Sequence, residues 1–358
     1  MPKQSFTLVK LQHFKGGFHL SLGNQNSYTS SQKMLHSDTI KSAIFVCALQ
    51  LYGPQIINQS FLEKFRISSA FPFVRQGGKD LYFFPKPNTR LNISIVEEND
   101  RGEIQKIKGE HKVLKKMAFV EKALFEVVIN GRSLNLVDGV DIKKGYAHQG
   151  WEKEVIIFKN DTYQHVAIDR AGLSDSDTFY IDKRYFGPNA GLFFLLDCAD
   201  ETIKKQLFAA LRLLGDSGIG SDRNNGNGAF EFVGEEGNDV ISNFELQVPE
   251  APSHELALSL YLPKDKEEIG NFELAQYELT KRGGYITHPM NDEHLTIRKR
   301  SIYMFTEGSL FDAQPEKEGR IANLQPNESS FEAVDTDPVR HPIYRDGKAI
   351  FIPFKKIV

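Results

Sequence analysis

Apolar and polar residues alternate through SFTLVKL (residues 5–11), the pattern of a half-buried strand. GGFHLSLG (16–23) follows, and then a Ser/Asn-rich stretch, NQNSYTSSQKM. In LHSDTIKSAIFVCALQLYG (35–53) the period changes: Ile40, Ala43, Ile44, Cys47, Ala48 and Leu51 recur at helical spacing. Ser37 or Asp38 is the candidate N-cap of that helix, and Gly53-Pro54 ends it. Strand patterns return at YQHVAIDR (163–170), DTFYIDKRYF (177–186) and GLFFLLD (191–197), the last apolar enough to be a central strand. ETIKKQLFAALRLLG (201–215) carries the strongest helical signal, with Ile203, Leu207, Leu211 and Leu214 on one face. Asp200 is placed to cap it and Gly215 to end it. GAFEFVG (228–234) alternates again as a strand.

The order strand, helix, strands, helix, strand is the β-α-β-β-α-β pattern of a ferredoxin-like unit. We therefore expect an α+β fold with an N-terminal ferredoxin-like domain over residues 1–235. Residues 54–155 read as a large insertion after its first helix, because aromatics and prolines crowd SSAFPFVRQGGKDLYFFPKP (68–87) and a basic stretch fills 101–122. Further strand patterns occur at FELQV (244–248), ALSLYLP (257–263), RKRSIYMF (298–305) and KAIFIPF (348–354), with one weak helical segment at 271–284. They predict a second, degraded ferredoxin-like domain over 240–358, joined through the acidic turn GEEGND.

The chain has 358 residues, enough for two domains. Its 27 Phe can fill a sizeable core. The formal net charge of −3 gives no overall attraction to nucleic acid, so any such contact must use a local patch. Two cysteines, Cys47 and Cys198, exclude a disulfide scaffold or a cysteine zinc site and read as buried thiols. No signal peptide and no apolar stretch of membrane length is present, and a cytoplasmic protein is expected.

Residues 215–228, GDSGIGSDRNNGNG, hold five Gly and three Asn. No Lys follows the glycines, as a Walker loop requires. The loop also follows a helix and precedes a strand, the reverse of a dinucleotide fingerprint. Counted from Asp222, the sixth position is Asn227 and not the Gly of a calcium loop. Two readings remain. One is an ordinary long loop. The other is a backbone rail for an extended polyanion, with Gly allowing positive φ, Arg223 supplying charge, and Ser221, Asn224, Asn225 and Asn227 supplying neutral donors.

A helix ending in such a loop before the last strand resembles the glycine-rich loop of the RAMP superfamily of CRISPR proteins. LHSDTIKSAI resembles the start of the first RAMP helix. SSAFPF, FFPKP, KKMAFVEKALFE, HVAIDR, KRSIYMFTEGSLF and YRDGKAIFIPF, in this order, resemble the fourth subunit of the type III-A (Csm) interference complex. The resemblance implies two ferredoxin-like domains and a non-catalytic subunit without a cofactor or metal. It implies that the subunit holds the 5′ repeat-derived tag of crRNA, docks the large polymerase/cyclase-type subunit and contacts the backbone subunit.

The residues expected to touch RNA are Lys33, His36, Ser37, Lys41, Lys79, Lys86, Arg170, Lys183, Arg184, Gly218, Gly220, Ser221, Arg223, Asn224 and Asn225. Arg170 either pairs with Asp169 or stacks on a base. Tyr185 and Phe186 beside Lys183 and Arg184 are either stacking platforms or core. Lys79, Lys86 and Arg90 would belong to a hairpin wedged beside the guide. His36 also opens an alternative function, a metal-independent endoribonuclease processing precursor crRNA, in which it would act on the ribose 2′-OH. That chemistry needs a second group, which the sequence does not identify. Glu307-Gly308-Ser309 resembles an active-site turn, but it reads as structural because no partner stands at a recognisable spacing.

Overall fold

A computed structural model of the chain describes residues 2–20, 34–98, 104–106, 110–137, 145–148, 155–167, 177–221, 223–232, 241–286, 297–314, 316–326 and 341–356. It is a mixed α+β fold with few helices. The N-terminal elements are β1 (Lys3–Lys15), α1 (Ser37–Tyr52), β2 (Phe71–Gln76) and β3 (Lys79–Pro85). They are followed by β4 (Phe119–Glu121), α2 (Lys122–Ile129), β5 (Tyr146–Ala147), β6 (Phe158–Ala167), β7 (Asp177–Phe186) and β8 (Ala190–Asp197). Then come α3 (Glu201–Ser217), β9 (Ala229–Glu231) and β10 (Ile241–Gln247). The C-terminal part contributes β11 (His254–Ala257), β12 (Leu279–Arg282), β13 (Ile302–Phe305), β14 (Leu310–Asp312) and β15 (Phe351–Phe354).

The main sheet runs β9-β1-β8-β2-β3-β4-β5, and all of these neighbours are antiparallel except the parallel pair β4–β5. β8 lies in the interior of the sheet with every residue but Asp197 buried, as its apolar run predicts. β10 pairs along β1 from Lys3↔Gln247 to Val9↔Ile241, on the edge it shares with β9. Residues 244–248, assigned by pattern to the C-terminal part, thus extend the N-terminal sheet.

Each face of this sheet covers a core. On one, α1 and α3 bury Ile40, Ile44, Leu207, Leu211 and Leu214 against Val9, Leu11 and Phe194. On the other, Phe71, Phe83, Phe84, Phe125 and Phe193 pack together, with Phe84 stacked on Phe125 at 4.6 Å. Residues 71–85 and 119–129, which lie in the expected insertion, therefore supply sheet strands and core aromatics. Leu256, Leu258, Leu310, Ile350 and Ile352 join the same cluster, so the C-terminal part closes this core as well.

Helix ends show where local signals win. The Asp200 carboxylate accepts from the N–H groups of Thr202 and Ile203 at 2.9 and 3.2 Å, and Gly53 (φ 75°) ends α1. Two end assignments are corrected. The N-cap of α1 is His36, without a side-chain capping bond, because Ser37 and Asp38 are bound to the C-terminal part. α3 continues past Gly215 to Gly218 (φ 77°), whose N–H bonds the Leu214 carbonyl at 2.8 Å. The weak helix expected at 271–284 is also corrected: residues 272–274 form a single 3-10 turn, and 279–282 form β12, paired with β13. The apolar spacing there serves β12, whose last residue, Arg282, is drawn to Asp38.

Candidate nucleic-acid interface

The segment after β1 organises the glycine loop. Phe14 stacks on Phe186 at 4.6 Å, and Phe18 exchanges two backbone hydrogen bonds with Arg184 at 2.8 and 2.9 Å. The backbone of 16–20 is thereby wedged between the end of β7 and the loop. A Cβ on Gly17 would meet the Lys183 side chain at 2.7 Å, so only Gly allows this approach. Asn227, buried, accepts from Gly17 N–H at 3.0 Å and from Lys183 Nζ at 3.5 Å through the same Oδ1. The structure thus brings the loop, Lys183 and Arg184 into one place.

The loop has a fixed base and an exposed tip. Ile219 N–H bonds the Gly228 carbonyl, Ser221 N–H the His19 carbonyl, and Gly226 N–H the Arg223 carbonyl, at 2.9–3.0 Å. With Gly218 N–H bound back to α3, these four donors are spent inside the protein. The rail of successive free N–H groups expected from composition is corrected to this extent. Gly218 shapes the base of the loop and is buried. Arg223, Asn224 and Asn225 form a single exposed 3-10 turn.

Lys183 and Arg184 are largely buried. Lys183 lies over the Tyr163 ring at 5.9 Å, and the Arg184 guanidinium lies over Phe158 at 4.1 Å and bonds Asn160 Oδ1 at 3.4 Å. Burial pulls the Arg184 pKa down, against the opposing charges of Tyr146 and Asp182. β6 and β7 form a ten-pair antiparallel hairpin on which Tyr163, Val166 and Tyr180 stay exposed. Phe186 packs in the core beside α1 and α3, whereas Tyr185 stands against Tyr163.

The head of α1 is different. Lys41 is buried, donates to the Phe65 carbonyl at 2.8 Å, pairs with Asp346 and lies over the Phe65 ring. Ser37 is buried as well; its Oγ accepts from Leu260 N–H at 3.0 Å and its N–H donates to Ser69 Oγ at 2.8 Å. The expectation that these two side chains reach RNA is corrected: internal partners saturate them. His36 keeps partial exposure, with Nδ1 bonded to Glu307 Oε1 at 2.8 Å. Glu307 also accepts from Ser69 Oγ. Burial alone would raise the Glu307 pKa, but His36 and Ser69 outweigh it and hold it below the ordinary value.

The same turn touches β3. Asn88 N–H bonds the Gly308 carbonyl at 2.8 Å, and Lys86 Nζ, half-buried, donates to the Leu114 carbonyl at 3.1 Å. Lys79 is exposed where β3 leaves the Gly77-Gly78 turn. The hairpin that holds it, β2–β3, is part of the main sheet. Lys33 and Arg170 lie outside the described residues, as does Asp169.

Sequence reading named Asn227 as a donor to a ligand, whereas its Oδ1 accepts from Gly17 N–H and anchors the loop; it missed Glu307 as the partner of His36 and Asp38 as a charge centre. The last two have partners more than 200 residues away. Among the described residues no group of three or more metal-ligating side chains occurs, and no helix is long and apolar enough to cross a membrane. Both cysteines are buried free thiols.

Known proteins are similar along most of the chain. A family model described as the CRISPR Csm4 C-terminal domain matches residues 250–354. A curated relative from Methanocaldococcus jannaschii, "CRISPR system Cms protein Csm4", is 27% identical, with 94% of each chain covered. One of the same description from Mycobacterium tuberculosis is 26% identical over 95% of this chain and 96% of its own. Two solved structures share the fold. A Csm3-Csm4 subcomplex of a type III-A interference complex has a TM-score of 0.56 and 20% identity, covering 98% of this chain and 100% of the matched one. A Csm1-Csm4 cassette in complex with cA4 has a TM-score of 0.56 and 18% identity, covering 99% and 100%. Residues 250–354 thus match the Csm4 C-terminal domain, and the chain as a whole is similar to Csm4 proteins of type III-A CRISPR systems.

Proposed function

We propose that this chain is a non-catalytic RNA-binding and assembly subunit of a type III-A complex, working in the cytoplasm. It holds the 5′ tag of crRNA, docks the large polymerase/cyclase-type subunit and contacts the backbone subunit. The assembly part is supported by the two solved likenesses, in which a Csm4 protein is seen with Csm3 and with Csm1. The RNA part is carried by one observation: a rigid loop base presents Arg223, Asn224 and Asn225 to solvent beside Lys183 and Arg184. Gly220 and Ser221 line the approach to that tip, and His36, Lys79 and Lys86 would contact RNA further along. Exposed Tyr163 and Tyr180 on the β6–β7 hairpin offer stacking faces. We also read residues 1–235 as a ferredoxin-like RAMP domain, to whose sheet β10 is added, and 240–358 apart from β10 as a second, degraded one. The sheet order β9-β1-β8-β2 with α1 and α3 on one face supports the first of these.

Measuring the affinity of the full chain for an RNA bearing the tag, at several salt concentrations, tests the RNA part. Affinity should fall steeply with salt, because each phosphate contact releases counterions. A flat response would remove RNA holding from the function and leave assembly alone.

The endoribonuclease reading is favoured by a different observation, the Glu307–His36 contact. A carboxylate on Nδ1 orients the imidazole and assigns proton exchange to Nε2. The reaction needs a second proton-transfer group, and among the described residues Glu307 is the only side chain hydrogen-bonded to His36. Incubation with precursor RNA should leave the RNA intact. Cleavage abolished by His36→Ala with binding retained would establish the enzyme instead.

A further inference from the structure

Among the described residues, the head of α1 gathers more positive charge than negative. Asp38 is fully buried and accepts from Arg282 Nε and Nη2 at 2.8 and 2.9 Å and from Arg345 Nη1 at 2.7 Å. Burial alone would raise the Asp38 pKa, but the two guanidiniums outweigh it and hold the carboxyl well below the usual range. A third cation adjoins them. Lys299 N–H bonds the Gly284 carbonyl at 3.1 Å, and Arg345 Nη2 bonds the neighbouring Gly283 carbonyl at 3.3 Å. Among the described residues, Lys299 Nζ has no hydrogen-bond or ion-pair partner. Arg345 is 6% exposed, and its Nε is buried without a partner. One turn along α1, Lys41 and Asp346 balance each other and lend no charge to the cluster.

Lys299 is half-buried, and a cation drawn partly out of water without a counter-ion is costly. Burial, then the charges of Arg345 and Arg282, pull its pKa down to about 8, with Asp38 opposing. Gly284, whose carbonyl accepts from Lys299 N–H, is open: a Cβ on it (φ +108°) would meet none of the described residues within 4 Å. Arg298 stands at the rim with its guanidinium over the Tyr285 ring at 4.9 Å.

We propose that Lys299 and Arg345, backed by Arg282, form an anion site that takes a phosphate group entering beside Gly284. A phosphate offers several acceptor oxygens, which suits an arginine N–H and a lysine ammonium carried by neighbouring stretches of backbone. The site lies on different elements from the glycine loop and does not rest on RNA being held there. The phosphate could belong to RNA or to a free nucleotide.

Thermal unfolding of the full chain, titrated with inorganic phosphate and with chloride at equal ionic strength, tests the site. A ligand of the native state raises Tm with its concentration. Phosphate should raise Tm where chloride does not. Lys299→Met should fold at least as well, since it removes an uncompensated charge, yet need at least tenfold more phosphate for the same shift. Lys299→Arg should keep the response. Parallel titrations with an RNA octamer and with ATP, each compared with Lys299→Met, identify the source. A Lys299-dependent shift at lower RNA concentration assigns the phosphate to RNA, and the reverse order assigns it to a nucleotide. Equal phosphate shifts in wild type and Lys299→Met, or none in wild type, overturn the proposal. A shift with inorganic phosphate and with neither RNA nor ATP means an adventitious ion only, and overturns it equally.

Discussion

Ser37, Asp38 and Lys41 at the head of α1 are buried, each bound to a side chain or backbone group from elsewhere in the chain. Arg223, Asn224 and Asn225 at the tip of the glycine loop face solvent over an anchored base. Both stretches pair small polar residues with a cation at a helix end, which is what makes each look like a phosphate contact. What separates them is the number of partners the fold supplies. The first meets Leu260, Arg282, Arg345 and Asp346, all from the C-terminal part. The second is held by nearby backbone and leaves its own side chains outward. A polar residue is a candidate for ligand contact only after such internal partners have been counted.

The largest expected effect breaks the first region. Asp38→Ala strands two buried guanidiniums and should cost about 3–5 kcal/mol in denaturant unfolding. Lys41→Met, which strands Asp346, should fall in the same range. A loss under 1 kcal/mol for both would mean that the head of α1 is not the buried junction described here.

Acid should act on the same region. Asp38 and Glu307 both have pKa values below their unfolded values of about 4. Groups lowered in this way stabilise the fold at pH above their unfolded values, and the stabilisation is lost as pH falls through the folded ones. Stability should therefore decline below about pH 4, and Asp38→Asn should flatten that decline. Urea midpoints across pH 2–6 would show it.

An intermediate effect distinguishes the base of the loop from its tip. A Cβ at Gly228 (φ +73°) would collide with the Ile219 carbonyl, whereas one at Gly226 (φ +74°) meets nothing within 4 Å. Gly226→Ala should cost about 1 kcal/mol from backbone conformation alone. Gly228→Ala should cost at least twice that, read as a Tm difference. Equal costs would contradict the anchored base.

The core strands and both long helices are legible from periodicity because their signals are local: β8, α3 and the Asp200 cap need no distant partner to be recognised. The head of α1 is not legible in this way. Asp38 was visible as a cap candidate, but its role depends on Arg282, brought in by a strand that the local pattern marks as a weak helix, and on Arg345, from the short strand 344–346. Residues 71–85 read as an excursion because Pro and aromatics crowd them, yet those aromatics fill the sheet's second face. For the candidate site, the glycines marked the loop, while the bonds that consume its N–H groups run to α3, to the loop itself and, for Ser221, to His19 in a segment that carries no motif.

The smallest effect on stability carries the central claim. Arg223→Ala removes an exposed side chain and should leave stability within about 0.5 kcal/mol. The decisive quantity is the salt dependence of tag-RNA affinity for the wild type and Arg223→Ala, measured on the full chain. The account predicts weaker binding by the variant and a slope of log affinity against log salt smaller by about 1, the signature of one lost phosphate contact. Identical affinity and slope in the two proteins would contradict it.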